Sequence, residues 1–430
     1  MDAQTRKREI EQVMSKPANQ SMTGIPLKYR GETKSTIVWK IPLSLLIYNK
    51  YNGRIGTVVQ SYEVQNGKLD PENEKDQAII ENFLYDSKPD RNEKTMDNLL
   101  KSGQRQYGIV TSDGIVVDGN RRAMLLNKLF RERDQNKLEY SQVQHCQYFL
   151  AIVLPEDATE KDIQQLETEY QMGEDSKLEY NALEKYLKCK DLQKYYSIKD
   201  IASFMGEKEG TIKSWLSILS LMEEYLESYG YKGIYTRLDK TEGQFVDLEG
   251  YLKAYKERKS TTKNVNWPYQ DSDLADLKVV CFDYIRARYE GKQFRDIAKT
   301  GTEGSIFSDR EIWSKFFMEH SNNVPLDEYE VNELREKHPH DDLSKLLRSR
   351  DVDWTKAAKD VLESNLKEGT DRLEDKRYSE NPIKLLRRSL NALESVDIEN
   401  NSFLKDSDVK QKLEEIYMLS SEMLELLEKE

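Results

Sequence analysis

A five-residue segment, Asp118-Gly119-Asn120-Arg121-Arg122, places the strongest constraint on how this 430-residue chain can fold. The apolar residues 115–117 precede it and favour a β-strand, whereas residues 123–129 after it have the pattern of an α-helix. The glycine permits a tight turn between the two elements. We therefore predict a strand, a turn and a helix, with two arginines in the first turn of that helix.

The start of this helix has the chemistry of an anion site. Unpaired backbone N–H groups and the positive end of the helix dipole favour a negative charge there. The guanidinium groups of Arg121 and Arg122 match the geometry of phosphate oxygens. The segment thus predicts a phosphate or nucleotide site, and an ordinary surface turn with two solvated arginines is the alternative.

Two further segments come before the arginine segment in a characteristic order. Residues 41–54 read Ile-Pro-Leu-Ser-Leu-Leu-Ile-Tyr-Asn-Lys-Tyr-Asn-Gly-Arg, and residues 95–103 predict a helix that ends at Gly103. Together the three segments resemble the N-terminal domain of the ParB/sulfiredoxin superfamily, and the resemblance covers roughly residues 36–232. It implies a small α/β domain that binds the triphosphate of a nucleotide, CTP or ATP, together with Mg²⁺. The implied nucleotide-binding residues are Arg54, Asp118, Gly119, Asn120, Arg121, Arg122 and Gln171.

Two positions in the segments that resemble the family bear on the chemistry. Asn120 stands where the family has a glutamate, which leaves open the identity of the nucleotide and whether it is hydrolysed. In residues 167–173, which correspond to the family segment that holds the triphosphate and its magnesium, Glu169 is the candidate Mg²⁺ ligand and catalytic carboxylate. A glutamate on a helix surface is the alternative interpretation of Glu169.

Residues 196–216 predict a helix-turn-helix. Ser197 can cap the first helix and Gly206 can form the turn. The expected inner face consists of Ile198, Ile201, Ala202, Ile212, Trp215 and Leu216. The residues then left for contact with DNA bases or phosphates are Lys208, Thr211, Lys213 and Ser214. Use of the motif for packing alone is the alternative, because residues 196–231 contain three lysines against six acidic residues.

Composition limits the class of protein. The length implies two to four domains, and we expect an α+β protein with a helical C-terminal half. A net charge of −12 argues against nonspecific coating of nucleic acid but leaves a local DNA-reading face possible. Because the sequence has no apolar run of 18 residues, we expect no membrane span. Because it has no secretion signal and its three cysteines are scattered, we expect a cytoplasmic or nucleoid-associated protein. The expected divisions are an N-terminal arm (1–35), a ParB-like domain (36–155), a helix-turn-helix domain (156–232), a helical domain (233–330) and a charged helical region (331–430).

The C-terminal region carries two apolar stripes at helical spacing. The first consists of Leu385, Leu386, Leu390 and Leu393, and the second of Leu413, Ile416, Tyr417, Met423, Leu424 and Leu427. Packing of these helices on their own domain is the favoured interpretation. A dimerisation helix or a helix that binds a protein partner is the alternative, and we expect a homodimer.

These observations favour a ParB-like, nucleotide-dependent DNA-binding protein that acts in DNA segregation, regulation or defence against mobile elements. An NTPase or a ParB-like nuclease that uses the same pocket is one alternative. A helical protein-interaction module with a vestigial pocket is the other.

Overall fold

The structure is a computed structural model of the chain, and it describes residues 1–172, 181–288, 293–327, 331–339, 341, 343–379, 382–400, 403 and 407–428. The fold is mixed α+β, with one sheet in the N-terminal part and a helical C-terminal half. This agrees with the expected fold class.

One mixed sheet organises the N-terminal part of the chain. Its strands are β1 (Gln20–Tyr29), β2 (Glu32–Pro42), β3 (Ile47–Tyr48), β4 (Gly108–Val110), β5 (Ile115–Asp118) and β6 (Tyr148–Val153), in the spatial order β1-β2-β6-β4-β5-β3. The pairs β1/β2, β2/β6 and β4/β5 are antiparallel, whereas β4/β6 and β3/β5 are parallel. The parallel pairing of β3 with β5 places the loop after Tyr48 beside the turn at Gly119.

Helices cover both faces of the sheet. They are α1 (Ala3–Met14), α2 (Gly56–Asn66), α3 (Glu74–Asp86), α4 (Pro89–Ser102), α5 (Asn120–Arg131), α6 (Tyr140–Val143) and α7 (Glu160–Met172). Because successive strand residues point to opposite faces, Val116 of β5 joins the cluster under α5, whereas Val117 joins the cluster that contains Leu166 of α7. The strand-turn-helix expected at the arginine segment is thus confirmed, with α5 packed against the sheet.

Residues 1–35, expected to form an N-terminal arm, contain a helix and the edge strand of the sheet. Helix α1 anchors to the sheet domain through Ile10, which is fully buried, and Arg6, which donates to the carbonyl of Asp113. Strand β1 pairs with β2 along most of its length. The strand has a polar sequence because it lies at the edge of the sheet, where only Leu27 and Tyr29 are buried.

The C-terminal half is built from eleven described helices around a large core. They are α8 (Ala182–Leu192), α9 (Ile198–Met205), α10 (Glu209–Ser228), α11 (Glu242–Lys256), α12 (Asp271–Arg286), α13 (Arg295–Ala298), α14 (Arg310–Asn323), α15 (Val331–Lys337), α16 (Leu343–Ser379), α17 (Pro382–Glu394) and α18 (Ser407–Glu428). One apolar cluster extends from Leu183 to Leu373. The expected divisions at 232 and 330 therefore do not coincide with breaks in the core.

Helices α17 and α18 leave their apolar stripes exposed. Leu386 and Leu390 of α17 are more than half exposed, and so are Leu424 and Leu427 of α18. The sequence favoured packing of both stripes within their own domain. The structure does not show this packing, and the apolar cluster of the C-terminal half ends in α16. Within the described part of the chain, no helix combines the length and apolar character needed to cross a membrane.

Candidate functional site

The turn between β5 and α5 depends on glycine for two reasons. Gly119 has a φ of 97°, in the left-handed region that residues with a side chain rarely adopt. A Cβ atom at this position would also lie only 2.7 Å from Cζ of Phe149 on β6. The turn therefore brings the chain into close contact with β6, where a side chain at position 119 has no room.

Asn120 connects two loops of the domain. Its Oδ1 accepts the backbone N–H of Asn49 at 2.8 Å, and its Nδ2 donates to the carbonyl of Val116 at 2.8 Å. The side chain is almost completely buried. A neutral amide suits this position because it accepts one bond and donates another, and the accepted bond holds the loop before Arg54.

Arg122 is engaged within the protein. Its Nη2 donates to Oδ2 of Asp118 at 3.0 Å, and its Nη1 donates to the carbonyls of Gln106 and Tyr107. Burial lowers the pKa of Arg122, and the neighbouring carboxylate of Asp118 partly offsets that effect. Asp118 and Arg122, both expected to bind nucleotide, thus fasten the turn to the segment that enters β4.

Arg121, the next residue along the chain, has a different environment. Its side chain is buried, and Nε donates to Oδ1 of Asn92 on α4 at 2.7 Å. Its buried Nη2 has no hydrogen-bond partner among the residues that the structure describes. Burial lowers the pKa of Arg121, and the nearby cations Arg54 and Arg91 add to this effect. The guanidinium is therefore held in place by a neutral amide, in surroundings that favour an incoming anion.

Arg121 opens onto a cleft of about 950 Å³ between the sheet domain and the first helices of the C-terminal half. Arg54 and Lys88 line the same wall. The other wall is formed by residues 181–184 at the start of α8 and residues 235–242 before α11. Four cationic residues, Arg54, Lys88, Arg121 and Lys240, thus line one cleft, although only Arg54 and Arg121 were expected there.

Four acidic residues, Asp86, Glu184, Asp239 and Glu242, line the cleft as well. Glu184 of α8 lines the cleft, and burial raises its pKa to about 8, although the Asn181 N–H, Arg54 and Lys88 act in the opposite direction. At neutral pH this side chain is therefore largely a neutral acid. Sequence reasoning missed Glu184 and Lys88, because no local pattern signals a burial that depends on contact between distant parts of the chain.

The expected magnesium ligand, Glu169, lies elsewhere on α7. Its Oε1 accepts a bond from Nε2 of Gln165 at 2.9 Å and is 3.7 Å from Nζ of Lys28 on β1. It is not among the described residues that line the cleft. Among the described residues, no group of three or more His, Cys, Asp or Glu has the arrangement of a metal site. The side chain of Gln171, the other residue expected from this segment, lies outside the described part of the chain.

The two helices of the expected helix-turn-helix lie where the sequence predicts them. Ser197 caps α9 in a reciprocal capping box with Asp200, and Gly206 ends the helix with a left-handed φ of 69°. Ile201, Ala202 and Ile212 are buried in a small cluster that also includes Cys189 and Leu192 of α8, with Ile198, Trp215 and Leu216 packed against it. Lys208 and Lys213 are exposed at the start of α10, whereas Thr211 and Ser214 are half-buried. Helix α10 continues to Ser228 and enters the large core, so the motif is fixed rigidly to the C-terminal half.

We found no match to this chain among protein-family models, curated proteins or solved structures.

Proposed function

We propose that the protein is a ParB-like, nucleotide-dependent DNA-binding protein that binds a nucleoside triphosphate in the cleft beside Arg121. The observation that carries this proposal is the buried Nη2 of Arg121, which lacks an acceptor among the described residues and belongs to a side chain that lines the cleft. A buried cationic donor without an acceptor is unfavourable, and a phosphate oxygen would supply the acceptor.

The remaining lining of the cleft supports a ligand with a charged and an uncharged part. Arg54 and Lys88 supply further cationic groups for phosphate oxygens beside Arg121, and the acidic residues of the lining are Asp86, Glu184, Asp239 and Glu242. Phe83, Met222 and Tyr235 add apolar and aromatic surface that suits a base or a sugar. The volume of about 950 Å³ lies at the upper end of the range of small-molecule sites.

DNA binding is proposed for the exposed start of α10. Lys208 and Lys213 are exposed near the half-buried hydroxyl groups of Thr211 and Ser214, and this arrangement suits a recognition helix. The neighbouring Glu207 and Glu209 are exposed as well, so few phosphate contacts form, and the nonspecific affinity is weak and easily lost as salt rises.

The nucleotide proposal is tested by calorimetry with CTP, ATP and GTP, each with Mg²⁺. We expect wild type to bind one of the three and Arg121→Gln to bind it roughly tenfold or more weakly, because a charge-assisted phosphate contact is lost. Arg8→Gln is the matched control, since it removes the same charge from an exposed position on α1. If wild type binds no triphosphate at millimolar concentration, or if Arg121→Gln binds as tightly as wild type, the proposal is wrong.

An enzyme that uses the same cleft is the second candidate, and Glu184 favours it. A carboxylic acid with a pKa of about 8 beside a cluster of cations can donate a proton to a leaving oxygen near neutral pH. Steady release of phosphate or cleavage of nucleic acid by wild type, lost in Glu184→Gln while ligand binding is retained, would support this candidate. Absence of turnover in wild type, with nucleotide bound, favours the binding function.

A further inference from the structure

Helix α18 presents an unusually large apolar surface to solvent. Nine large apolar side chains, each more than two-fifths exposed, lie on this single helix: Leu413, Ile416, Tyr417, Met418, Leu419, Met423, Leu424, Leu426 and Leu427. All of them except Met418 lie on one side of the helix, and an exposed apolar patch of this size is typical of an interaction surface rather than of a solvated helix.

The spacing of these residues matches that of a helix that packs along its whole length. Positions separated alternately by four and three residues form one continuous stripe, occupied by Val409, Leu413, Ile416, Ser420, Met423 and Leu427. The 22 residues of α18 extend over about 33 Å, so the stripe is long enough for a helical partner. Apolar residues at 417, 419, 424 and 426 flank the stripe and widen it.

The charges of α18 are distributed unequally between its ends. Lys410 and Lys412 lie in the first two turns, whereas Glu422, Glu425 and Glu428 lie in the last two. At 3.6 residues per turn, Lys410 and Glu428 lie on one flank of the apolar stripe and Lys412 and Glu422 on the other, whereas Glu425 lies on the face opposite the stripe. A second copy of α18 in antiparallel orientation would place Lys410 near Glu428 and Lys412 near Glu422 at both ends, whereas a parallel copy would oppose like charges. The lysines have partners within the helix, Glu414 at 3.7 Å and Glu415 at 2.7 Å, but exposed pairs of this kind contribute little.

The net charge of the helix helps to identify the occupant. Asp408, Glu414 and Glu415 add to the three glutamates near the C-terminal end, so the described helix carries six acidic residues against two lysines. This excess of negative charge disfavours an anionic lipid surface. Because the helix is complementary to itself when reversed, a second copy is the partner that satisfies both ends at once.

We infer that the chain forms a dimer through antiparallel pairing of α18 with α18 of a second copy, with the two helices crossing near Met418. A stable interface buries about 800 Å² on each partner, and the eight large side chains on the stripe side supply an area of that order. Phe403 lies beside the first half of α18, and a groove of about 600 Å³, lined also by Val409, Leu413 and Tyr417, is placed to receive the last turn of the other helix. This dimer does not depend on the proposed nucleotide site.

Sedimentation velocity of the full chain over a dilution series tests the association. Wild type should sediment as a particle of twice the 50.4 kDa chain mass. Ile416→Asp combined with Leu427→Asp should give a monomer with unchanged melting, because both side chains are exposed in the single chain. Leu326→Asp is the matched control, since Leu326 is 93% exposed outside α18, and this variant should remain a dimer. A monomeric wild type, or a double variant that remains a dimer, would overturn the inference.

Engineered cysteines test the orientation, and the three native cysteines are buried and give little background. An antiparallel crossing near Met418 brings position 413 of one copy opposite position 423 of the other, but keeps the two copies of position 413 about 15 Å apart along the axis. A mixture of Leu413→Cys and Met423→Cys proteins should therefore form a disulfide-linked dimer under oxidation, whereas neither protein should do so alone. Cross-linking of Leu413→Cys with itself would overturn the antiparallel arrangement.

Charge exchange gives an independent test of the same arrangement. Lys410→Glu with Lys412→Glu should weaken the dimer by roughly tenfold or more, because glutamates then face glutamates at both ends. Adding Glu422→Lys and Glu428→Lys to the same chain should restore the wild-type dissociation constant. Weakening without restoration would contradict the proposed pairing of the two ends.

Discussion

Lys188 and Glu167 form an ion pair with an Nζ–Oε2 distance of 2.7 Å, and their side chains are only 5% and 1% exposed. Nζ of Lys188 also donates to Gln164, and the Glu167 carboxylate accepts the backbone N–H of Gly53 at 3.4 Å. The pair therefore connects the loop that carries Arg54 with α8, the helix that carries Glu184. It holds together two elements that line opposite walls of the cleft.

Removal of Lys188 should destabilise the fold strongly. In Lys188→Met the carboxylate of Glu167 stays buried without its counter-ion, which we expect to lower the free energy of unfolding by about 3–5 kcal/mol. Urea denaturation measures this. Lys190→Met is the control, because Lys190 on the same helix is exposed and pairs with Glu223, and it should cost about 1 kcal/mol or less. Equal losses in the two variants would show that the buried pair has no special importance.

The two neighbouring arginines should separate binding from stability. Arg122→Gln loses its bonds to Asp118 and to two carbonyls, so we expect the free energy of unfolding to fall by about 1–3 kcal/mol. Arg121→Gln removes a buried charge without a carboxylate partner among the described residues, so the unliganded protein should be as stable as wild type or more stable. Thermal melts without ligand distinguish the two. A larger loss in Arg121→Gln than in Arg122→Gln would contradict these assignments.

Stability should depend on pH through Glu184. Its pKa is raised from 4.5 in the unfolded chain to about 8 in the folded protein, so the folded state binds more protons in that interval. The contribution of Glu184 to the free energy of unfolding therefore falls as pH rises from about 4.5 to about 8. Glu184→Gln should remove this part of the slope and raise stability relative to wild type near the upper end of the interval. Glu209 is an exposed glutamate outside the cleft, so Glu209→Gln should leave the slope as in wild type. An unchanged slope in Glu184→Gln would exclude a raised pKa for Glu184.

Local periodicity predicted the strand, turn and helix around Gly119 and the two helices around Gly206, because caps, glycines and apolar spacing are properties of short segments. It did not predict which arginine faces the cleft. Asn92, the partner of Arg121, is 29 positions away, and the carbonyl partners of Arg122 at 106 and 107 precede it by 16 and 15 positions. The raised pKa of Glu184 likewise depends on burial between distant elements.

The C-terminal stripes show a different limit. Residues such as Leu390 and Leu424 have the same helical spacing whether a helix packs on its own domain or on a partner. The decisive information is how much apolar surface the rest of the chain can cover, and the core up to α16 is complete without them. The edge strand β1 was not predicted, because its mostly exposed residues lack an apolar pattern.

The start of α10 should contact DNA through its two exposed lysines. Lys208→Glu with Lys213→Glu should abolish a mobility shift on duplex DNA at low salt, because the few phosphate contacts available are replaced by repulsion. Since both side chains are exposed, nucleotide binding and melting temperature should remain nearly unchanged. Lys253→Glu with Lys256→Glu, which reverses two exposed lysines at the end of α11, is the matched control for net charge and should still bind. If wild type shifts no duplex with or without nucleotide, the α9–α10 element serves only for packing, since its inner face is already buried against α8.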